Sequence, residues 1–464
     1  MSRSPSRAYP RGMSLSYRGY DVVIRCLRGI SPPLGLWNRS KLGRGIRGRL
    51  VSSGAFQEWA RTYRDESRPL VWFHAPSVGE GLQAKAVMDA LLKRSPDIQL
   101  AYTFFSPSAE GLMRRMPVHV AGYLPWDTRP EMEALLDALR PHALVFTKTE
   151  VWPVLSSVAC ERGVPTFLAA ATLPEGAGRL RGPAAWFLRP AFSSLRKVLA
   201  ISEGDGKRFR RLGVADGAVE VTGDPGVDSA SRRVRGADSE ASYLKPFLED
   251  RRPTLVAGST WPADEKELLP ALEHLRRSVA GLRVILAPHE PTPSHVDAIE
   301  RSLDRTGWKV ARLGAIEAQG GAVGVDAVVV DRVGVLAALY TVGDIAFVGG
   351  GFHRHGLHSV LEPASAGVPV LFGPRHTNAQ SAARLTEAGG GRVVTDRKAI
   401  AEIVGDWFGD PSERAAAGKA AALYIDQHLG AADRTARQLT PFLAGKPSRE
   451  SGDEANATRG PSGG

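Results

Sequence analysis

The chain has 464 residues, 43% hydrophobic and 23% charged, enough for two ordinary domains with full cores and ordinary for a soluble globular protein. Two cysteines, Cys26 and Cys160, exclude a disulfide framework or a cysteine metal cluster and suit a reducing cytoplasm; there is no signal-peptide pattern at the start and no run near the ~18 apolar residues of a spanning helix. A formal charge of +11 and a pI near 9.8 call for an anionic partner: nucleic acid, a phosphorylated substrate or an acidic membrane surface.

Residues 1–68 form a basic arm, with runs such as RSKLGRGIRGRL at 39–50. Within it Val22, Val23, Ile24, Leu27, Ile30, Leu34 and Leu36 lie among arginines. That pattern suits either an interfacial helix on anionic lipid or a solvated basic arm. From residue 69 apolar strand candidates follow at 69–75, 98–105, 120–125, 142–148, 165–171, 197–202 and 218–223. Helical patterns separate several of them, as at 80–94 and 129–139. A second series runs through 253–259, 282–287, 308–313, 327–331, 345–348, 369–372 and 391–395. Strand and helix in alternation predict parallel sheets covered on both faces, hence an α/β chain of two doubly wound, Rossmann-like domains. The expected boundaries are 69–225 and 253–444, with a polar interdomain connection at 226–252 and an amphipathic helical stretch at 412–443. The Ser-, Gly- and Pro-rich tail 445–464 is expected to be disordered.

Open α/β sheets bind ligands beyond the carboxyl ends of their strands. Two such domains are expected to face each other across a cleft, so the loops that follow strands carry the chemistry. The first strand runs into HAPSVGEG (74–81), where Glu80 opens a helix. It reads as an available general base or as a first-turn Glu that only stabilises its helix. His74 reads as a strand-end core residue. KTEVWP (148–153) offers Glu150, with Trp-Pro stiffening the turn. In STWPADE (259–265), Ser259 or Thr260 can cap a helix whose amides meet phosphate. APHEP puts His289 and Glu290 at a strand end, and in DRVGVL Gly334 permits close backbone approach.

Residues 345–378, IAFVGGGFHRHGLHSVLEPASAGVPVLFGPRHTN, are the richest stretch. Strand, Gly349-Gly350-Gly351, helix start and strand make a phosphate-binding geometry in which free amides face an anion. Ser359 is the expected N-cap of a helix to Ala366, and Glu362 is placed to accept from ribose hydroxyls. His353, His355 and His358 lie on glycine loop rather than on the scaffold a metal site needs. Nothing resembles a Walker A loop, a GxSxG elbow or a GxGxxG fingerprint.

HAPSVGE, TKTEVWP, VTGDPGVD, GSTWPADE, APHEP, DRVGVL and the glycine stretch occur in one order at the expected strand ends. In these motifs, across about 69–440, the chain resembles the 3-deoxy-D-manno-octulosonic acid (Kdo) transferases of lipopolysaccharide synthesis. The resemblance implies a GT-B fold and inverting transfer of Kdo from CMP-Kdo to a lipid A precursor (lipid IVA). It implies action at the cytoplasmic face of the inner membrane, on an anionic surface, with no metal or other cofactor. The family's general base falls on Glu80 and a carboxylate supporting the transition state on Glu150. Its CMP contacts fall on Pro288 and His289, on Gly334, Val335 and Leu336, and on Ser359, Val360, Leu361 and Glu362. The loop reading adds Ser259, Thr260, Gly350 and Gly351.

Four departures bear on the sugar or acceptor. Gly226, in Asp224-Pro225-Gly226-Val227-Asp228, stands where the family often has a lysine proposed to stabilise the transition state, so either Arg179 or Arg181 supplies a cation or the role is lost. Lys148 stands where a carboxylate is common. Ala170-Ala171-Thr172-Leu173-Pro174 replaces an Asn-Ala-Arg-Leu-Ser stretch, and Trp261 replaces a histidine after Ser-Thr. A GT-B enzyme using another nucleotide sugar or envelope acceptor is therefore the alternative. No nucleic-acid partner is expected, because the charge gathers in the arm and no nucleic-acid module appears.

Overall fold

The computed structural model describes residues 13–37 and 40–443; the expected disordered tail lies outside the described residues. The chain divides into two compact units, Met1–Pro225 together with the stretch from Gly430, and Gly226–Leu429.

In the first unit β1 (Leu70–His74), β2 (Gln99–Phe104), β3 (Val120–Tyr123), β4 (Ala143–Thr147), β5 (Thr166–Ala171), β6 (Lys197–Ala200) and β7 (Val219–Val221) form one sheet. Its order is β3-β2-β1-β4-β5-β6-β7, parallel throughout. The run LVWFH is buried along its whole length, as a strand covered on both faces must be. Leu70 and Trp72 pack with Leu144, Phe146 and Leu168 on one face. Val71 and Phe73 pack with Val145, Phe167 and the helix Val78–Arg94 on the other. Each large side chain so buried contributes about 1.5–3 kcal/mol relative to exposure.

The basic arm is structured where it is described. The helix Lys41–Tyr63 lies against β3. Gly48 is needed there, since a Cβ would sit 2.2 Å from the Tyr123 ring. Ser52 Oγ donates to the Tyr123 carbonyl, and Phe56 packs over Gly122. This helix covers an edge strand whose unpaired backbone would otherwise invite pairing. The helix Leu15–Trp37 docks through Tyr17, whose hydroxyl accepts from Ala191 N at 2.9 Å, and Asp21, which accepts from Arg129 N at 2.7 Å. Its other face, Leu15, Val22, Val23, Cys26, Leu27 and Ile30, is exposed.

The second unit contains β8 (Thr254–Thr260), β9 (Arg283–Pro288), β10 (Val310–Arg312), β11 (Ala327–Val329), β12 (Ile345–Val348), β13 (Val370–Phe372) and β14 (Gly391–Val393). The order is β10-β11-β9-β8-β12-β13-β14, again parallel. Every expected strand is present.

Two boundaries differ from expectation. Residues 226–252 are not a free connection: the helix Pro225–Arg235 buries Val227 and Ala230 beside Val348, Leu361 and Phe372 of the second unit. Leu244 and Phe247 likewise join a core cluster there. The stretch 412–443 is two helices, Pro411–His428 and Ala431–Leu439, broken at Gly430 with φ +85°. The second belongs to the first unit: Thr435 Oγ1 donates to Thr222 Oγ1 at 3.0 Å, and Ala436 and Leu439 enter the cluster around β1.

Strand order reverses direction between β1 and β4 and between β8 and β12. Such switch points are where open sheets leave a crevice. The register pairs His74 with Phe146 and Gly258 with Val348, so β4 runs one residue past the end of β1 and β8 two residues past the end of β12. The segments carrying Glu80, Glu150 and Gly349–Gly351 leave from β1, β4 and β12, and Ser259 lies at the end of β8 itself.

Candidate functional site

In the first unit Ser77 precedes the helix Val78–Arg94, and its hydroxyl donates to Glu80 Oε2. Glu80 sits in the first turn, where the helix dipole favours a carboxylate, and is half-buried. Tyr102 lies behind it: burial, with the Glu80 charge adding, pushes the phenol well above its ordinary value. Gln83, one turn further along, donates to Asp224 at 2.8 Å and so holds the loop after β7 against the same helix.

Glu150 lies in the turn after β4. Arg179 Nη2 donates to its Oε1 at 2.8 Å, and Arg179 Nη1 to the Thr149 carbonyl at 2.8 Å. Lys148, just before, holds φ +66°, a left-handed conformation that costs a side-chain-bearing residue about 1–2 kcal/mol. Trp152 fixes the far side of the turn by donating from Nε1 to His74 Nε2 at 2.8 Å. His74 Nδ1 therefore carries the proton and donates to Thr103 Oγ1 at 3.0 Å. Burial holds the His74 imidazole down to about 3, so the ring is a neutral strut rather than an acid or base.

In the second unit the glycine turn is a backbone-to-backbone contact. A Cβ on Gly349 would lie 2.3 Å from Ser259 O, and one on Gly351 2.4 Å from Gly373 N. The expectation of free amides needs correction at two positions: Gly349 N donates to Gly258 O, and Gly350 N donates to Asp264 Oδ2 at 2.7 Å. Asp264 also accepts from Phe352 N at 3.0 Å and from Trp261 N at 2.9 Å. The next residue, Glu265, accepts from Thr260 Oγ1 at 2.9 Å and faces His295 Nε2 at 3.0 Å. The Thr260 hydroxyl is thus committed to its own helix. Ser259 has φ +56° at a bulge in β8.

Five rings gather at the ends of β8, β9 and β12. Trp261 is stacked between His289, at 4.6 Å, and His353, at 4.5 Å. Its Nε1 donates to His358 Nε2 at 2.9 Å, and His358 stacks on His289 at 4.4 Å. His355 meets Trp261 and His353 edge-on. Burial first, then His289 and His353, hold His358 down to about 4. Among the described residues no group of three or more His, Cys, Asp or Glu is arranged to hold a metal ion.

The structure brings most of the second-unit expectations together. Leu336 and Tyr340 cover Gly258, where a Cβ would lie 2.1 Å from the Tyr340 hydroxyl. Gly334 has φ +94° before the helix Leu336–Leu339, with Val335 at its cap position. Pro288 pairs with Thr260. Ser359 Oγ accepts from Leu361 N at 3.3 Å at the head of the short helix Leu361–Ser365. Val360 and Leu361 point into the core, leaving only their backbone for a ligand. Glu362 is ion-paired: Arg233 Nε donates to its Oε1 at 2.8 Å. Sequence reasoning missed Asp264, Glu265 and Arg233. The acid pair in the first turn after Trp261 was the available signal.

Among the described residues no helix is long and apolar enough to cross a membrane. The profile of the 3-deoxy-D-manno-octulosonic-acid transferase (kdotransferase) family matches residues 53–229. The 3-deoxy-D-manno-octulosonic acid transferase of Bordetella pertussis is 30% identical over 444 residues, covering 92% of this chain and 100% of that protein. The transferase of that name from Chlamydophila psittaci is 29% identical over 384 residues, 81% of this chain and 86% of its own. Among solved structures, UDP-GlcNAc 2-epimerase from Neisseria meningitidis superposes with a TM-score of 0.58 at 14% identity, over 81% of this chain and 99% of its own. That likeness concerns the fold, which is GT-B with two Rossmann-like units. The full-length match to the Bordetella protein, with the profile across the first unit, places this chain in the 3-deoxy-D-manno-octulosonic acid transferase family of glycosyltransferases.

Proposed function

We propose that the protein transfers Kdo from CMP-Kdo to a lipid A precursor, with inversion at the anomeric carbon and without a metal. The observation that carries this reading is Glu80: a half-buried carboxylate at the switch point of the first sheet, oriented by Ser77 at the family's HAPSVGE motif. An inverting transfer needs a base to take the acceptor hydroxyl proton as that oxygen attacks the anomeric carbon. The bond to the CMP phosphate then breaks, and CMP leaves as an anion. Glu150, paired with Arg179, supports the transition state, and Arg179 supplies the cation missing at Gly226. CMP is held in the second unit by the loops at His289, Gly334–Leu336 and Ser359–Glu362. Base and donor must meet during turnover, which is where binding energy becomes rate.

The acceptor is lipid, and the helix Leu15–Trp37 suits contact with an anionic inner-membrane surface at its cytoplasmic face. Its exposed apolar residues recur at helical spacing, and the exposed Arg18 and Arg25 lie along one flank. Mass spectrometry of the product formed from CMP-Kdo and lipid IVA tests the reading. Kdo added to lipid IVA is expected; no transfer at saturating donor, with transfer from another nucleotide sugar, would replace it.

A further inference from the structure

We propose that Asp264 and Glu265 are positioning residues of the donor site, two adjacent carboxylates that set three strand-end loops in register. The inference rests on the reading that CMP binds in the second unit.

Both acids lie in the first turn of the helix Pro262–Ser278 and are buried, Asp264 fully and Glu265 to within 7%. The positive end of that helix is therefore filled by the protein's own carboxylates. Asp264 collects three backbone donors: Trp261 N and Gly350 N on Oδ2, and Phe352 N on Oδ1. It thereby ties the end of β8 to the glycine turn after β12, 86 positions away in sequence. Glu265 faces His295 through both oxygens at 3.0 Å, and His295 Nδ1 lies 3.2 Å from the Glu290 carbonyl. That chain holds the loop after β9, which carries His289.

The three rings that stack in one column, His289, Trp261 and His353, thus each stand next to a segment fixed by this acid pair. Trp261 is bonded to Asp264 through its own amide. His353 follows Phe352, whose amide Asp264 holds. His289 precedes Glu290, whose carbonyl His295 meets. Neither carboxylate has to touch the donor for its loss to move the surface that does.

Three N–H groups converge on two oxygens at Asp264, and an Asn offers one oxygen and an amino group that faces a donor. Asp264→Asn is expected to weaken CMP binding about tenfold, the effect of leaving buried donors unpaired. The donor KM rises by the same factor while the acceptor KM stays unchanged, a split that general destabilisation would not give. If Asp264→Asn does not fold, Glu265→Gln and His295→Gln carry the test. Each is expected to raise the CMP Kd about threefold, and the double variant no more than the larger single, because the two act as one unit. Titration calorimetry with CMP reads all of these. Wild type that binds CMP while the folded variants bind it equally well, or donor and acceptor KM rising together, overturns the positioning role alone. Folded wild type that binds no CMP overturns the donor reading, and the positioning role with it.

Discussion

Trp152 donates its indole N–H to His74 across 78 positions of sequence, and this bond joins the turn that carries Glu150 to the strand that leads to Glu80. His74 completes the strut by donating to Thr103, whose hydroxyl also accepts from Trp72 Nε1 at 2.9 Å. Trp152→Phe keeps the ring and deletes the donor, leaving His74 Nε2 buried and unsatisfied. The expected cost is about 1–3 kcal/mol of stability. Turnover should fall with it, and chemical denaturation alongside steady-state kinetics measures both.

Glu80→Gln preserves shape and removes the proposed base. Turnover should drop about 10²–10⁴-fold, the usual worth of general-base catalysis. CMP affinity should stay at the wild-type value, because the loops proposed to hold the nucleotide belong to the other unit. A parallel loss of CMP binding would make Glu80 a structural residue.

Arg179 and Glu150 are each more than a third exposed, so their ion pair adds little stability, about 0–1 kcal/mol. Arg179→Ala is therefore expected to leave the melting temperature nearly unchanged. If the guanidinium replaces the family's lysine charge, turnover still falls by about 10²-fold. Unchanged turnover in the folded variant would remove Arg179 from the reaction.

Acidity acts on both units with a defined sign. His74 and His358 stay neutral in the fold down to about 3 and about 4, whereas an unfolded imidazole takes its proton near 6.5. The unfolded chain thus binds more protons below pH 6.5. Stability present above that pH drains as pH falls toward 4, at up to about 1.4 kcal/mol per pH unit for each ring. Asp127 runs the other way: burial pushes its carboxyl up to about 7, so its contribution is present in acid and lost as pH rises through 7. Denaturant midpoints from pH 8 to 4 follow these trends, and His358→Gln should flatten the acid limb by about one proton.

The helix Leu15–Trp37 gives a further variant. Val23→Ser with Ile30→Ser removes exposed apolar surface without touching Tyr17 or Asp21. Sedimentation with anionic vesicles should show binding reduced about tenfold or more, at roughly 0.8 kcal/mol per buried methylene. The wild type should release with salt.

Central strands such as β1, β4 and β12 were legible because parallel strands covered on both faces are written as continuous apolar runs, whereas the short edge strands β7, β10 and β14 each carry a charged residue and are partly exposed. The loops after β1, β4, β8 and β12 could be singled out for the same reason, since the strand ends were known. What could not be read was who bonds to whom across the sheet. Glu362 looked free for ribose until Arg233, 129 positions earlier, proved to hold one of its oxygens. The glycine amides looked open until Asp264 took one of them. The basic arm could be read as an interfacial helix or as a solvated arm, but not as docked, because its partners at Ala191 and Arg129 lie more than a hundred positions away. No local pattern in 412–443 marks which unit a helix will join.

The return of the chain at Gly430 has a consequence for biosynthesis. Ala436, Leu439 and Leu443 complete a core begun by Val71 and Phe73, so the earlier-made lobe waits, unfinished, until the later one has left the ribosome. The second lobe holds all of its strands in one uninterrupted segment and can close first. Shortening the chain to residue 429 would therefore injure the lobe nearest the amino terminus, far from the cut in sequence, and leave the second lobe whole.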